Sequence, residues 1–130
     1  RARCSPPNGR VLSTYRVRRA LATDRDLALL ADFLFESYRA FGDGVADASS
    51  RVERRIEAVE DMMAALAEQP HRGSPRPDLL AGVRSLTADR VVLYFEVDDD
   101  ASEVRVLGVF FGGQDHHRRM LIRLGEQDRS

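Results

Sequence analysis

The chain has 130 residues, 43% of them hydrophobic and 32% charged, which is one domain's worth of globular sequence and too apolar for a disordered polymer. Its single cysteine, Cys4, excludes an internal disulfide and a cysteine-built metal cluster, and no apolar run approaches the roughly 20 residues of a membrane helix. A formal net charge of -1 argues against a broad nucleic-acid surface, and without a secretory pattern a cytoplasmic location is expected.

Residues 1–12 hold Pro6, Pro7, Asn8 and Gly9 without periodicity and read as a flexible tail. Residues 14–19 alternate, with Tyr15 and Val17 on one side and Arg16 and Arg18 on the other, as a half-buried strand does. Thr23 then has the chemistry of a helix N-cap, with Asp24 and Asp26 in the first turn. Leu27, Leu30, Ala31, Leu34, Tyr38 and Phe41 follow as one apolar stripe, and Gly42 and Gly44 end it. A second helix carries the seam Val52, Ile56, Val59, Met63 and Leu66, with Asp47, Ser49 or Ser50 as its cap and Pro70 as its stop. The seam reads as core, packed on the first helix and a sheet, the alternative being a face that binds a partner helix. The two helices, joined by a short glycine-containing link, form an antiparallel hairpin.

A proline-rich loop occupies residues 70–82, after which the period changes to two. Residues 83–87 form a short strand. Residues 90–97 form a stronger one, with Val91, Leu93, Phe95 and Val97 on one face. An acidic turn spans residues 98–102. Residues 103–111 are apolar on both faces and read as a central strand covered on both sides. A short helix follows around residues 118–124, with Met120, Leu121 and Leu124 as its apolar side. The architecture is α+β: strand–helix–helix–strand–strand–strand with a short C-terminal helix, and a helical hairpin on one face of the sheet. The domain is placed at residues 13–124, with residues 125–130 as a tail.

All 20 basic residues are arginine, so no lysine is present to act as base, Schiff-base former or phosphate anchor. Residues 1–21 carry six arginines and no acid, a local +6; the rest of the chain carries -7. Four arginines stand out as binding candidates. Arg84 and Arg90 flank the turn between two strands and either point at an anionic partner or blunt a strand edge. Arg16 and Arg18, in acid-free surroundings with Arg19, carry the same two readings. His116 and His117, before Arg118 and Arg119, have the residue types of a phosphodiester acid–base pair, or are two exposed histidines in a polar turn. A zinc site from His71, His116 and His117 is not expected, because adjacent histidines rarely share one tetrahedral ion and the usual ligand spacings are missing. No cofactor is expected either. The acidic turn at Asp98, Asp99 and Asp100 lacks the alternating ligands and central glycine of a calcium loop.

Residues 75–115, PRPDLLAGVRSLTADRVVLYFEVDDDASEVRVLGVFFGGQD, resemble the C-terminal half of RelE/ParE-type toxins of type II toxin–antitoxin systems. The GVR and GGQD segments and the order of elements carry the resemblance. The opening YRVRRALATDRDLALLADFL, residues 15–34, resembles the family's first strand and helix, so about residues 13–115 are covered. The resemblance implies a compact toxin neutralised by a cognate antitoxin, with no membrane partner. It implies one of two targets: DNA gyrase for ParE-like members, or ribosome-bound mRNA for RelE-like members. Arg84 matches the family's strand arginine, but Gln114 and Met120 stand at the later arginine and tyrosine positions. The ParE-like branch, without catalysis of its own, is therefore favoured. The alternatives are a nuclease using Arg84, Arg90, His116 and His117, and an inactive relative that only binds antitoxin. Antitoxin contact is expected at Arg16, Arg18, Arg84 and Arg90, along the sheet edge and the groove of the two helices. All of this presumes guanidinium groups clustered at one rim of the sheet.

Overall fold

The computed structural model describes residues 14–112 and 116–128. The expected tail, residues 1–12, and Gly113 and Gln114 lie outside the described residues. In chain order the elements are β1 (Arg16–Arg19), α1 (Leu21–Ala40), α2 (Val45–Ala64), one 3-10 turn (Ala65–Ala67), β2 (Ser74–Pro75), β3 (Val83–Ala88), β4 (Val91–Asp98), β5 (Glu103–Phe111) and α3 (His116–Asp128). The strands form one sheet in the order β1-β5-β4-β3-β2. β1 runs parallel to β5, and the other pairs are antiparallel. The class and order expected from sequence hold. The difference is β2, a two-residue edge strand inside the proline-rich loop, where Ser74 and Pro75 pair with Ser85 and Arg84.

Two cores sandwich the sheet. The first joins Leu27, Leu30 and Leu34 of α1 and Val59 and Met63 of α2 to Leu93, Phe95, Val104, Val106 and Val109 of the sheet. The helical seam is thus core, as its spacing implied; each such side chain contributes roughly 1.5–3 kcal/mol when fully buried. The second core lies on the other face, where Met120 and Leu124 of α3 cover Val92, Tyr94, Leu107 and Phe110. The first five residues of β4 are consequently all buried, not only the alternate set. Its second face is closed by a helix that is distant in sequence. A bulge helps: Tyr94 pairs with Gly108 and Phe95 with Val106, leaving Leu107 as the extra residue of β5.

Several local expectations give way to tertiary contacts. α1 starts after Ala20, with no side-chain cap, and Thr23 is fully buried inside it. α2 starts after Gly44 without a side-chain cap, so Asp47, Ser49 and Ser50 do not serve that role. It ends at Ala64, well before Pro70. Phe41, placed on the apolar stripe by its spacing, is 88% exposed because the chain leaves the helix there and turns at Gly42 with φ +106°. α3 is longer than residues 118–124, and Leu121 faces solvent beside buried Met120.

Beyond Arg19 β1 stops while β5 continues, which would leave an open strand edge. One backbone amide and three side chains close it. The Ala20 amide and the Thr23 hydroxyl both donate to the Val106 carbonyl at 3.0 Å. The Val109 amide donates to Asp26 Oδ2 at 3.0 Å. Arg123 Nη1 donates to the Leu107 carbonyl at 3.0 Å and to Asp26 Oδ2 at 2.8 Å, while its Nη2 reaches Asp26 Oδ1 at 3.0 Å. A two-pronged ion pair therefore links α1 to α3 around the rim of β5.

Candidate functional site

Arg84 is the second residue of β3 and faces Phe95 across the ladder. Its guanidinium is spent on the loop before it. Nε donates to the Arg72 carbonyl at 3.0 Å, and Nη2 donates to the carbonyls of His71 and Gly73 at 2.7 and 3.2 Å. The loop approaches closely because Gly73 sits at φ +79°, where an added Cβ would lie 2.2 Å from the Ser85 carbonyl oxygen. Arg84 thus pins β2 and the proline-rich loop to the sheet.

Arg90 is elsewhere. It forms the β3–β4 turn with Asp89, both at positive φ, and the Arg90 carbonyl accepts from the Gly112 amide. Arg55 of α2 holds the turn by donating to the Asp89 carbonyl at 2.8 Å. Arg84 and the turn are separated by the rest of β3, roughly 13 Å at 3.3 Å per residue. The expected clustering of these two guanidinium groups at one rim does not occur. The reason is topological: hairpin pairing places the second residue of β3 and its turn at opposite ends of the strand.

Arg16 and Arg18 lie exposed on β1, in register with Glu103 and Arg105 of β5. Val17 turns into the first core, so alternation sends Arg16 and Arg18 to the α3 side of the sheet. Arg18 Nη1 stands 3.5 Å from Glu103 Oε2. Arg105 joins this strip; nothing in its own strand distinguished it until the register placed it beside Arg18.

The two histidines open α3 and take different partners. The Tyr94 hydroxyl lies 2.6 Å from His116 Nδ1. Burial is the main cause that raises the Tyr94 pKa above its ordinary value; the Arg76 charge opposes it and the Asp78 carboxylate adds to it. His117 Nε2 stands 3.5 Å from Asp78 Oδ2. Tyr94 was legible only as a strand residue. Arg76, whose Nε donates to Ser85 Oγ at 3.0 Å, was legible only as part of a loop.

A further polar cluster went unread. Asp99 Oδ1 accepts from the Tyr15 hydroxyl at 2.7 Å and from His71 Nε2 at 2.8 Å. These hydrogen bonds, Tyr15 first and His71 second, hold the Asp99 carboxyl below its ordinary range. The bond to Asp99 likewise raises the Tyr15 phenol. The cluster borders a cleft of about 220 Å³ that His71, Arg84 and Asp99 line together. It joins three segments that are far apart in sequence, so no local pattern announces it. Among the described residues no group of three or more histidine, cysteine or acidic side chains is arranged to hold a metal. No described helix is long and apolar enough to cross a membrane.

Comparison with solved structures finds the same fold in two toxin–antitoxin systems. One is the RelBE2 toxin–antitoxin complex of Mycobacterium tuberculosis, 23% identical, with a TM-score of 0.55, covering 78% of this chain and 94% of that one. The other is the chromosomal ParDE system of P. aeruginosa, 17% identical, with a TM-score of 0.54, covering 76% of this chain and 97% of that one. At these identities the likeness concerns the fold. No curated protein matches the sequence significantly. A family model, the ParE toxin of the type II toxin–antitoxin system parDE, matches residues 35–116. That span runs from the last third of α1 to the start of α3 and exceeds half of the chain. The chain belongs to the ParE toxin family of type II toxin–antitoxin systems.

Proposed function

We propose that the chain arrests growth by binding DNA gyrase and poisoning it, and that a cognate antitoxin neutralises it. The observation that carries this reading is the ParE family match over residues 35–116. The geometry supports it: Arg84 is committed to three backbone carbonyls, and Arg90 sits at the other end of its hairpin. A toxin that works by binding needs an exposed, shaped surface and not a converged set of catalytic groups. The arginine strip Arg16, Arg18 and Arg105 on the α3 side of the sheet suits acidic antitoxin segments; such exposed pairs contribute roughly 0–1 kcal/mol each, so apolar anchors must supply most of the affinity. Purified gyrase incubated with plasmid and this protein tests the reading. Loss of supercoiling with trapped cleaved DNA, reversed by the antitoxin, is expected. Unchanged supercoiling without cleaved DNA refutes it.

A second reading has one observation in its favour. The Tyr94–His116 contact at 2.6 Å, with Arg76 acting on the same phenol, is an assembled proton-transfer pair beside a cation. In a ribosome-dependent mRNA endonuclease these groups would move the proton, and His116→Ala with His117→Ala would abolish message cutting in a translation extract. Uncut mRNA with the unaltered protein removes this reading. An inactive antitoxin-binding relative would show no growth arrest on induction.

A further inference from the structure

A cleft of about 210 Å³ opens between α1 and α3, over the stretch of β5 that β1 does not cover. Leu29 and Phe33 line it from α1, one helical turn apart, and stay 65% and 48% exposed. Val109, Phe110 and Phe111 line it from β5. Phe33 and Phe111 already meet edge to face, with ring centroids 5.2 Å apart. Asp26 also borders the cleft, but its carboxylate is matched by Arg123 and the Val109 amide. Arg119 borders it from α3, one turn before Arg123. That arginine is exposed and enters no ion pair among the described residues. The cleft thus joins an aromatic and aliphatic surface, held on both sides by the Asp26–Arg123 clasp, to a guanidinium that no described carboxylate matches.

We propose that this cleft binds a small aromatic carboxylate, its ring against Leu29, Phe33 and Phe111 and its carboxylate on Arg119. Size sets the first limit. An apolar cavity of about 150 Å³ takes a benzene molecule, so the space here admits one ring with a short substituent and no helix or strand. Chemistry sets the second. A ring placed beside the Phe33–Phe111 pair extends its edge-to-face packing. A planar guanidinium takes a carboxylate through two parallel hydrogen bonds. A cationic ligand is disfavoured, because Arg119 repels it and Arg123 already neutralises Asp26. An aromatic side chain within a partner's chain would fill the space and leave Arg119 unmatched, whereas a free carboxylate beside the ring satisfies both. Such a ligand touches α1, β5 and α3 together. The proposal goes beyond the functional reading and does not depend on the target of the toxin.

The test uses the purified full chain with 4-fluorophenylacetate as the probe, followed by its fluorine NMR signal. Saturable binding with a Kd of about 1 mM is expected, the reach of a ligand with about eleven non-hydrogen atoms. Arg119→Gln should weaken it about tenfold, as loss of one charge-assisted contact implies. The uncharged 4-fluorophenylacetamide should bind the unaltered chain about tenfold more weakly than the carboxylate, and should bind Arg119→Gln no worse than the unaltered chain. Phe33→Ala should weaken both probes at least about fivefold, because it removes a wall of the cleft. Arg54→Gln, on α2 and outside the cleft, should leave binding unchanged. Circular dichroism and a melting curve confirm that the variants stay folded. Overhauser contacts from the ring protons of the probe to the Leu29 methyl groups should locate it. The proposal fails if the probe does not bind, or if Arg119→Gln or Phe33→Ala binds it like the unaltered chain. It also fails if the amide binds as tightly as the carboxylate. A dimer in sedimentation that Phe33→Ala dissociates would overturn it and assign the cleft to a second copy. The assay contains neither gyrase nor ribosome, so a negative supercoiling result leaves it standing.

Discussion

Two carboxylates tie distant segments together in this protein, and they do so under different conditions. Asp26 joins α1, β5 and α3 from a site where its side chain is 6% exposed, while Asp99 joins Tyr15, His71 and the β4–β5 turn from one that is 64% exposed. Both accept two or more hydrogen bonds at 2.7–3.0 Å. Distance therefore does not distinguish them; solvent does. Water competes for every bond that Asp99 makes and screens its charge, whereas Asp26 has no alternative to Arg123 and the Val109 amide. The first contact constrains the fold, and the second trims the end of the sheet.

That contrast can be broken from its strongest side. Asp26→Ala leaves the Arg123 guanidinium and the Val109 amide without their acceptor, and should cost about 3 kcal/mol in urea unfolding. The lower end of the usual range applies because Arg123 keeps 21% of its side chain exposed. A loss below about 1 kcal/mol would place Asp26 with the surface pairs instead. Gly108→Ala probes the same seam from the sheet. Its Cβ would stand 2.7 Å from Arg123 Nη1 and 2.8 Å from Phe110 Cε2, so the guanidinium held by Asp26 and the Phe110 ring must give way, at about 1–3 kcal/mol. An unchanged melting temperature would show that the Arg123 and Phe110 side chains yield without loss.

The Asp99 side gives the smallest effect, visible mainly in acid. Because its carboxyl is held below the ordinary value of 3.8, its contribution is present above that value and is lost as pH falls through the lowered one. Asp99→Asn should therefore match the unaltered protein in the shape of its stability curve from neutral pH down to about 4 and lack part of the loss below it. Identical acid limbs in the two proteins would mean that the bonds to Tyr15 and His71 do not persist in solution.

The elements themselves were legible because each writes its period in its own residues. Val52, Ile56, Val59, Met63 and Leu66 announce a buried helix face, and the two-sided apolar character of β5 announces cover on both faces. Thr23 and Asp26 show where local reading misleads. Their types suit a helix N-terminus, yet both continue the buried spacing of Leu27, Leu30 and Leu34. That spacing was the available signal, and it outweighs the capping preference because burial of the stripe dominates helix placement. The site was less legible. Arg84 and Arg90 are near in sequence and apart in space, whereas Tyr94 and His116, or Tyr15, His71 and Asp99, are the reverse.

The sequence by itself determined the class of fold, the order of its main elements and the family, since periodicity, turn residues and linear motifs are local properties of a chain. Only the tertiary structure decided which polar groups meet: the Asp26–Arg123 clasp, the commitment of Arg84 to backbone carbonyls, and the Tyr94–His116 contact. The physical reason is that hydrogen bonds and ion pairs act over a few ångströms, and a neighbour at that range is set by strand register and helix packing, which bring together residues as far apart as Asp26 and Arg123.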